Sequence, residues 1–362
     1  MHVFSHDGLD VAVDASPADL EWLEEFLAPS FLSRRDANPR VHVSFEALPQ
    51  FTEGGMPAST GRVVFALDSG PVRLAERVTN DRVDLFATDG ALAFQVLDRG
   101  RRTRVLHGDN PKSMRIRLMR VVREYAHNHS LATGGLILHA AAVALGGHAV
   151  AIAGAKGAGK TTLALRMLAA PGVEYLSNDR VLVRTGHDAV QAIAVPTVIA
   201  VRPGTRRLLP ELAADLERAG DFRESARERR DHGPARPDVT GDIWRASSDQ
   251  LCFCLRRSRR AAASLACVLF PSRTSSAGGG FRVMDRDEAA GALSGVLVGQ
   301  HEGSYVSELF VPDPGALPTP AVMRERARDL AARVPCVVGH LADDASSAEA
   351  VEWLGECLPH VK

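Results

Sequence analysis

Lysine is scarce in this chain. Lys112, Lys156, Lys160 and Lys362 are the four lysines among its 43 basic residues, and two of them lie within one glycine-rich loop. Net charge is missing too: the basic residues face 44 acidic ones, which argues against a globally basic nucleic-acid binder. Aromatic residues make up 5% of the sequence, too few to interleave its arginines with stacking platforms for bases. No apolar run approaches the ~20 residues needed to cross a bilayer. The opening stretch MHVFSHDGLDVAVD lacks the basic-then-apolar character of a secretory signal. The expectation is therefore a cytoplasmic protein with no nucleic-acid or membrane partner. Cysteine supplies no framework: Cys252, Cys254, Cys267, Cys336 and Cys357 are odd in number and scattered, unlike a disulfide scaffold. Cys252 and Cys254 also lack the second ligand pair of a zinc site.

What is present is enough apolar material, 45% of 362 residues, for two domains or one elaborated α/β domain. Residues 1–110 hold short alternating segments such as VHVSFEAL, RVVFALD and ALAFQVLD broken by Gly, Pro, Asp and Asn, which predicts a smaller strand-rich α+β domain. Residues 111–134 open with Pro111 and set Met114, Leu118, Val121, Val122 and Tyr125 at helical spacing, predicting a connecting helix. Over 135–358 strand and helix patterns alternate as in an α/β fold. Gly146-Gly147 predicts a tight turn between two strands. Residues 251–255, LCFCL, read as a buried strand, and 274–280 as a Ser/Gly linker. The stretch 205–249 is rich in Arg, Asp and Glu and reads as a mobile polar insertion or lid. Helices are expected from Arg286, near 321–333, and ending near Leu358.

The glycine-rich loop is GAKGAGKT, Gly154, Ala155, Lys156, Gly157, Ala158, Gly159, Lys160 and Thr161, a complete match to G-x-x-x-x-G-K-[ST] between an apolar strand and a helical pattern. Glycines let backbone N–H groups close around phosphate oxygens where side chains would obstruct them, and the following helix turns its positive end toward the same anion. The motif predicts a nucleoside triphosphate bound by Gly154 to Thr162, with Lys160 on its terminal phosphates and Thr161 on magnesium. The carboxylate expected to serve the metal is Asp179, in EYLSNDRVLV soon after the loop.

These residues carry a resemblance. Leu136 to Val183 resembles the catalytic domain of HPr kinase/phosphorylase and its relatives, whose P-loop fold is related to that of phosphoenolpyruvate carboxykinase. LHAAAVALGGHAVAIAGAKGAGKTTLALRML sets His139 fifteen residues before Gly154, as the family does, and LSNDRVLV parallels the family's Asp-Asp-Arg-Val segment. The resemblance implies an α/β P-loop catalytic domain with a mixed sheet. It also implies a first Asp that takes the acceptor's proton, a histidine that assists it and a second Asp that serves the metal. By position these are Asn178, His139 and Asp179.

Asn178 departs from the family, because an amide is no general base. Three readings stay open: Asp179 does both jobs, His139 is the base, or Asn178 orients the nucleophile for a transfer that needs only positioning and charge. Asp179 acting with His139 is favoured. One of Arg256, Arg257, Arg259 and Arg260 is a further candidate for stabilising transferring phosphate. The expected function is Mg2+- and ATP-dependent phosphorylation of a hydroxyl on a peptide, such as a natural-product precursor, or on a small molecule. The alternative is a non-catalytic ATP-binding regulator or scaffold. ATP against GTP and a homo-oligomeric state are left open.

Overall fold

The computed structural model describes residues 1–34, 38–48, 62–67, 70–87, 92–233, 235–240, 242–273, 281–299, 308–312, 315–341 and 347–358. It divides into two units, Met1–Thr133 with Gly299–Pro318, and Gly134–Val298 with Thr319–Lys362. Both are mixed α/β. Among the described residues no helix is long and apolar enough to cross a membrane.

The first unit is one nine-stranded sheet: β1 (His2–His6), β2 (Leu9–Asp14), β3 (Leu32–Arg34), β4 (Val41–Ala47), β5 (Arg62–Leu67), β6 (Gly70–Thr79), β7 (Arg82–Phe86), β8 (Leu92–Leu97) and β9 (Arg102–His107). Its order is β3-β1-β2-β4-β9-β8-β7-β6-β5, with β2–β4 and β4–β9 parallel. Alternation along β4 buries Val41, Val43 and Phe45 and leaves His42, Ser44 and Glu46 at least partly in solvent, as a sheet covered on one side requires. The cover includes α1 (Pro17–Leu27), capped by Ser16, and α2 (Pro111–Ala132), capped by Asn110. Prolines at both helix starts fit there because their missing N–H would have no helical partner. Tyr125 of α2 donates to Gly100 O at 2.6 Å and lies 2.7 Å from Thr103 Oγ1 on β9. On the other face Arg104 donates to Glu46 (3.0 Å) and Gln95 (2.6 Å), Gln95 to Asp84 (3.0 Å), and Arg82 to Asp84 (2.6 Å), a polar chain across four strands.

In the second unit the strands are β10 (Leu136–Leu138), β11 (Ala140–Leu145), β12 (His148–Ala153), β13 (Glu174–Ser177), β14 (Val181–Thr185), β15 (Val190–Ala194), β16 (Ile199–Val201), β17 (Val239–Thr240), β18 (Ile243–Ala246), β19 (Ala262–Arg273), β20 (Phe281–Val283) and β21 (Cys336–Leu341). The main sheet runs β10-β14-β15-β19-β12-β11-β13, with β21 also on β19 and β20 on β21. β12 lies between antiparallel β11 and parallel β19, and Ala149 to Ala153 are fully buried. The β11–β12 turn is Gly146-Gly147, both at positive φ (58° and 85°), the conformation a two-residue hairpin needs. The helices are α3 (Lys160–Met167), α4 (Pro203–Leu208), α5 (Pro210–Ala219), α6 (Ala226–His232), α7 (Ser248–Leu255), α8 (Arg286–Ser294), α9 (Pro320–Ala331) and α10 (Ser347–Cys357).

Residues 205–249, expected to form a polar insertion, hold most of α4, all of α5 and α6, and strands β17 and β18, which join β16 in a three-stranded sheet. Leu212, Leu216, Phe222 and Trp244 of this stretch are buried, whereas Val239 is exposed. One sequence expectation, a buried strand, is corrected. Residues 251–255 are helical, because Ser247 and Gln250 form a reciprocal capping box that opens α7. The expected linker at 274–280 lies outside the described residues.

Candidate functional site

The glycine-rich loop joins the buried β12 to α3. Gly157 and Gly159 have φ of 89° and 88°, and a Cβ at either would meet nothing within 4 Å. Backbone conformation, not space, therefore demands glycine there. Gly154 has φ of 148°, and its Cβ would press on that of Ala158 at 3.3 Å. Gly159 caps α3 without any side-chain hydrogen bond, and the first turn holds no acidic residue. No side chain of the cap competes with an anion for the N–H groups of that turn.

Lys160 is 9% exposed and donates to Gly154 O (2.8 Å) and Ala155 O (3.0 Å). Burial pulls its pKa down to about 8, against a smaller opposing pull from the Asp179 carboxylate. Its neighbour Thr161 donates from Oγ1 to Asn178 Oδ1 at 2.8 Å. Thr162 Oγ1 lies 2.8 Å from Thr205 Oγ1 on α4. Ala155, Lys156 and Gly157 form the exposed tip of the loop.

Asn178, Asp179 and Arg180 form the turn between β13 and β14. Thr197 holds this turn by donating to Asn178 O at 2.7 Å, and Ser177 Oγ donates to Val195 O at 3.0 Å. Asp179 adopts φ of 69°, a left-handed conformation uncommon away from glycine. This sends neighbouring side chains in different directions. Asn178 is buried against Thr161, whereas Asp179 is exposed and its carboxylate lies 3.4 Å from His139 Nδ1.

His139 interrupts the chain between β10 and β11, its N–H donating to Val296 O at 2.7 Å. Its Nδ1 lies 3.0 Å from Asp179 O. A carbonyl only accepts, so Nδ1 carries the proton and neutral His139 keeps the lone pair on Nε2. Burial first, then the Lys160 cation, lowers its pKa, with Asp179 opposing. The predicted residues thus fall into two contacts, Thr161 with Asn178 and His139 with Asp179, bordering one loop.

Three of the four arginines of residues 256–260 make contacts away from the loop. Arg257 donates to Leu168 O and Ala169 O (2.9 Å for the latter) beyond the C-terminus of α3, Arg259 pairs with Asp249 at 2.9 Å, and Arg260 pairs with Glu174. An eight-residue helix is about 12 Å long, so Arg257 acts at the end of α3 remote from the loop. Thr197 and Thr205 are contacts with no local signal in the sequence.

Among the described residues no group of three His, Cys, Asp or Glu side chains is arranged to hold a metal ion. Magnesium in phosphoryl transfer needs few protein ligands, because phosphate oxygens and water complete its shell. A hydroxyl at Thr161 and an exposed carboxylate at Asp179 fit an ion that arrives with the nucleotide.

No protein-family model matches the sequence, and no curated relative is found for it. Among solved structures, the HPr(Ser) kinase/phosphatase from Coxiella burnetii is matched over 62% of this chain and 93% of that one, at 8% identity and a TM-score of 0.29. That likeness is distant and lends no weight to individual residues.

Proposed function

We propose that the protein is an ATP-dependent phosphotransferase that moves the γ-phosphoryl group of ATP to a hydroxyl of a peptide serine or a small molecule. The observation that carries the reading is the pairing of a complete phosphate loop, its buried Lys160 and a helix start free of any side-chain cap with the His139–Asp179 contact beside it.

In this reading the loop from Gly154 to Thr162 holds the nucleotide phosphates, and Lys160 leaves its loop carbonyls to neutralise terminal phosphate charge. Thr161 and Asp179 would hold magnesium, which supplies charge neutralisation and alignment of the phosphates. Asn178 Oδ1 accepts the hydrogen bond of the Thr161 hydroxyl and so turns the Thr161 lone pairs outward. The acceptor hydroxyl gives its proton to His139 Nε2 as its oxygen bonds to phosphorus, while the bond to the ADP oxygen breaks. Asp179 O fixes the imidazole tautomer. Of the three sequence readings, His139 as the base is the one these contacts support best, ahead of the favoured reading of Asp179 acting with His139.

A nucleotide-binding regulator that transfers nothing is the second reading. It is favoured by the amide at Asn178. Incubating the protein with Mg·ATP and candidate serine peptides or hydroxy compounds, with mass spectrometry of the products, decides between them. A gain of one phosphoryl group that is lost in Lys160→Ala is expected. ATP binding with neither transfer nor ADP release would favour the regulator.

A further inference from the structure

Thr162 stands on the first turn of α3, and Thr205 on α4 is 8% exposed. Their hydroxyls lie 2.8 Å apart. Two hydroxyls carry two protons, and the single hydrogen bond between them uses one. Which proton is used decides what Thr162 can offer to an anion at the start of α3. If Thr162 donates to Thr205, it turns lone pairs toward that anion. If Thr205 donates to Thr162, the Thr162 proton is left for a phosphate oxygen.

The element that carries Thr205 is fixed to α3 on more than this bond. Ile199 and Val201 of β16, just before α4, share one apolar cluster with Leu163 and Met167 of α3. At the far end Arg257, which follows α7, donates to the carbonyls of Leu168 and Ala169. The segment 199–257 therefore grips the phosphate-loop helix at both ends.

We propose that Thr205 is a positioning residue for the nucleotide: it donates to Thr162 Oγ1 and thereby commits the Thr162 hydroxyl to donate to a phosphate oxygen. This rests on the nucleotide reading above. The chain Thr205 to Thr162 to phosphate is cooperative, because an oxygen that accepts a hydrogen bond becomes a better donor. Packing alone would be served as well by valine, which has the shape of threonine without the hydroxyl.

A double-mutant cycle tests this, with Mg·ADP affinity measured calorimetrically on the full chain for wild type, Thr162→Val, Thr205→Val, the double variant and Thr205→Ser. Each valine variant is expected to bind about 5- to 10-fold more weakly, the double variant no more weakly than Thr162→Val, and Thr205→Ser within about twofold of wild type. Multiplying losses, or a Thr205→Val protein that binds as wild type does, would overturn the proposal. If Thr205→Val fails to fold, Thr205→Ala against Thr205→Ser reads the same hydroxyl, and equal affinities there overturn it. A wild-type protein that binds no Mg·ADP is a separate outcome, which refutes the nucleotide reading and this proposal with it.

Discussion

Among single residues, Asn178 and Asp179 are neighbours that the left-handed turn at Asp179 points at different partners. If Asn178 only orients the Thr161 hydroxyl, Asn178→Ala should cost about 10- to 100-fold in transfer, as loss of a residue supporting a metal ligand does. The loss should be partly recovered at high magnesium. If His139 takes the acceptor proton, His139→Ala should cost about 100- to 10,000-fold in turnover while leaving nucleotide affinity nearly intact. Single-turnover transfer and Mg·ADP binding, measured on the same preparations, check both. Comparable losses of binding and transfer in His139→Ala would move that residue from chemistry to structure. The phosphate loop was legible at this scale because its residues are contiguous. The partner of Asn178 was not, since the Thr161 contact depends on a backbone conformation that no local pattern encodes.

At the scale of elements, α3 is the part on which the site depends, and its two ends are held differently. Gly159 caps the N-terminus in a left-handed conformation, so Gly159→Ala should destabilise by about 1–2 kcal/mol from backbone strain. Arg257→Ala should cost about 1 kcal/mol through the uncovered carbonyls of Leu168 and Ala169. Urea unfolding checks both as a lower midpoint at unchanged slope. Elements with strong punctuation were readable: Pro111 and Gly146-Gly147 mark boundaries found in the fold, and a helix does start at Arg286. Residues 251–255 were misread because alternating Cys252 and Cys254 suggested a strand, while the Ser247–Gln250 capping box set the helix. The helices of 205–249 were hidden by composition. Leu212 and Leu216 supply the buried face of α5 with little apolar content around them.

At the scale of the whole molecule, each unit organises its sheet around pairings that sequence order does not reveal. β2, β4 and β9 are parallel neighbours separated by long stretches of chain, and β19 joins β15, β12 and β21. Period-two patterns predict strands but not such partners. The polar chain on the first unit's sheet makes its own prediction. The Arg104 hydrogen bond holds the Glu46 carboxyl below its ordinary pKa, so its stabilising effect is present above the unfolded value of about 4.3 and is lost as pH falls through the folded value. Glu46→Gln should therefore lower stability at neutral pH and flatten the loss seen on acidification below about pH 4.3, as followed by urea midpoints across that range. In the second unit, the proposed function requires the loop from Gly154 to Thr161 to hold a nucleoside triphosphate. Isothermal titration with Mg·ATP tests it most directly. One site per chain, lost or greatly weakened in Lys160→Ala, is the predicted result; no heat of binding in the wild type, or equal affinity in Lys160→Ala, would contradict it.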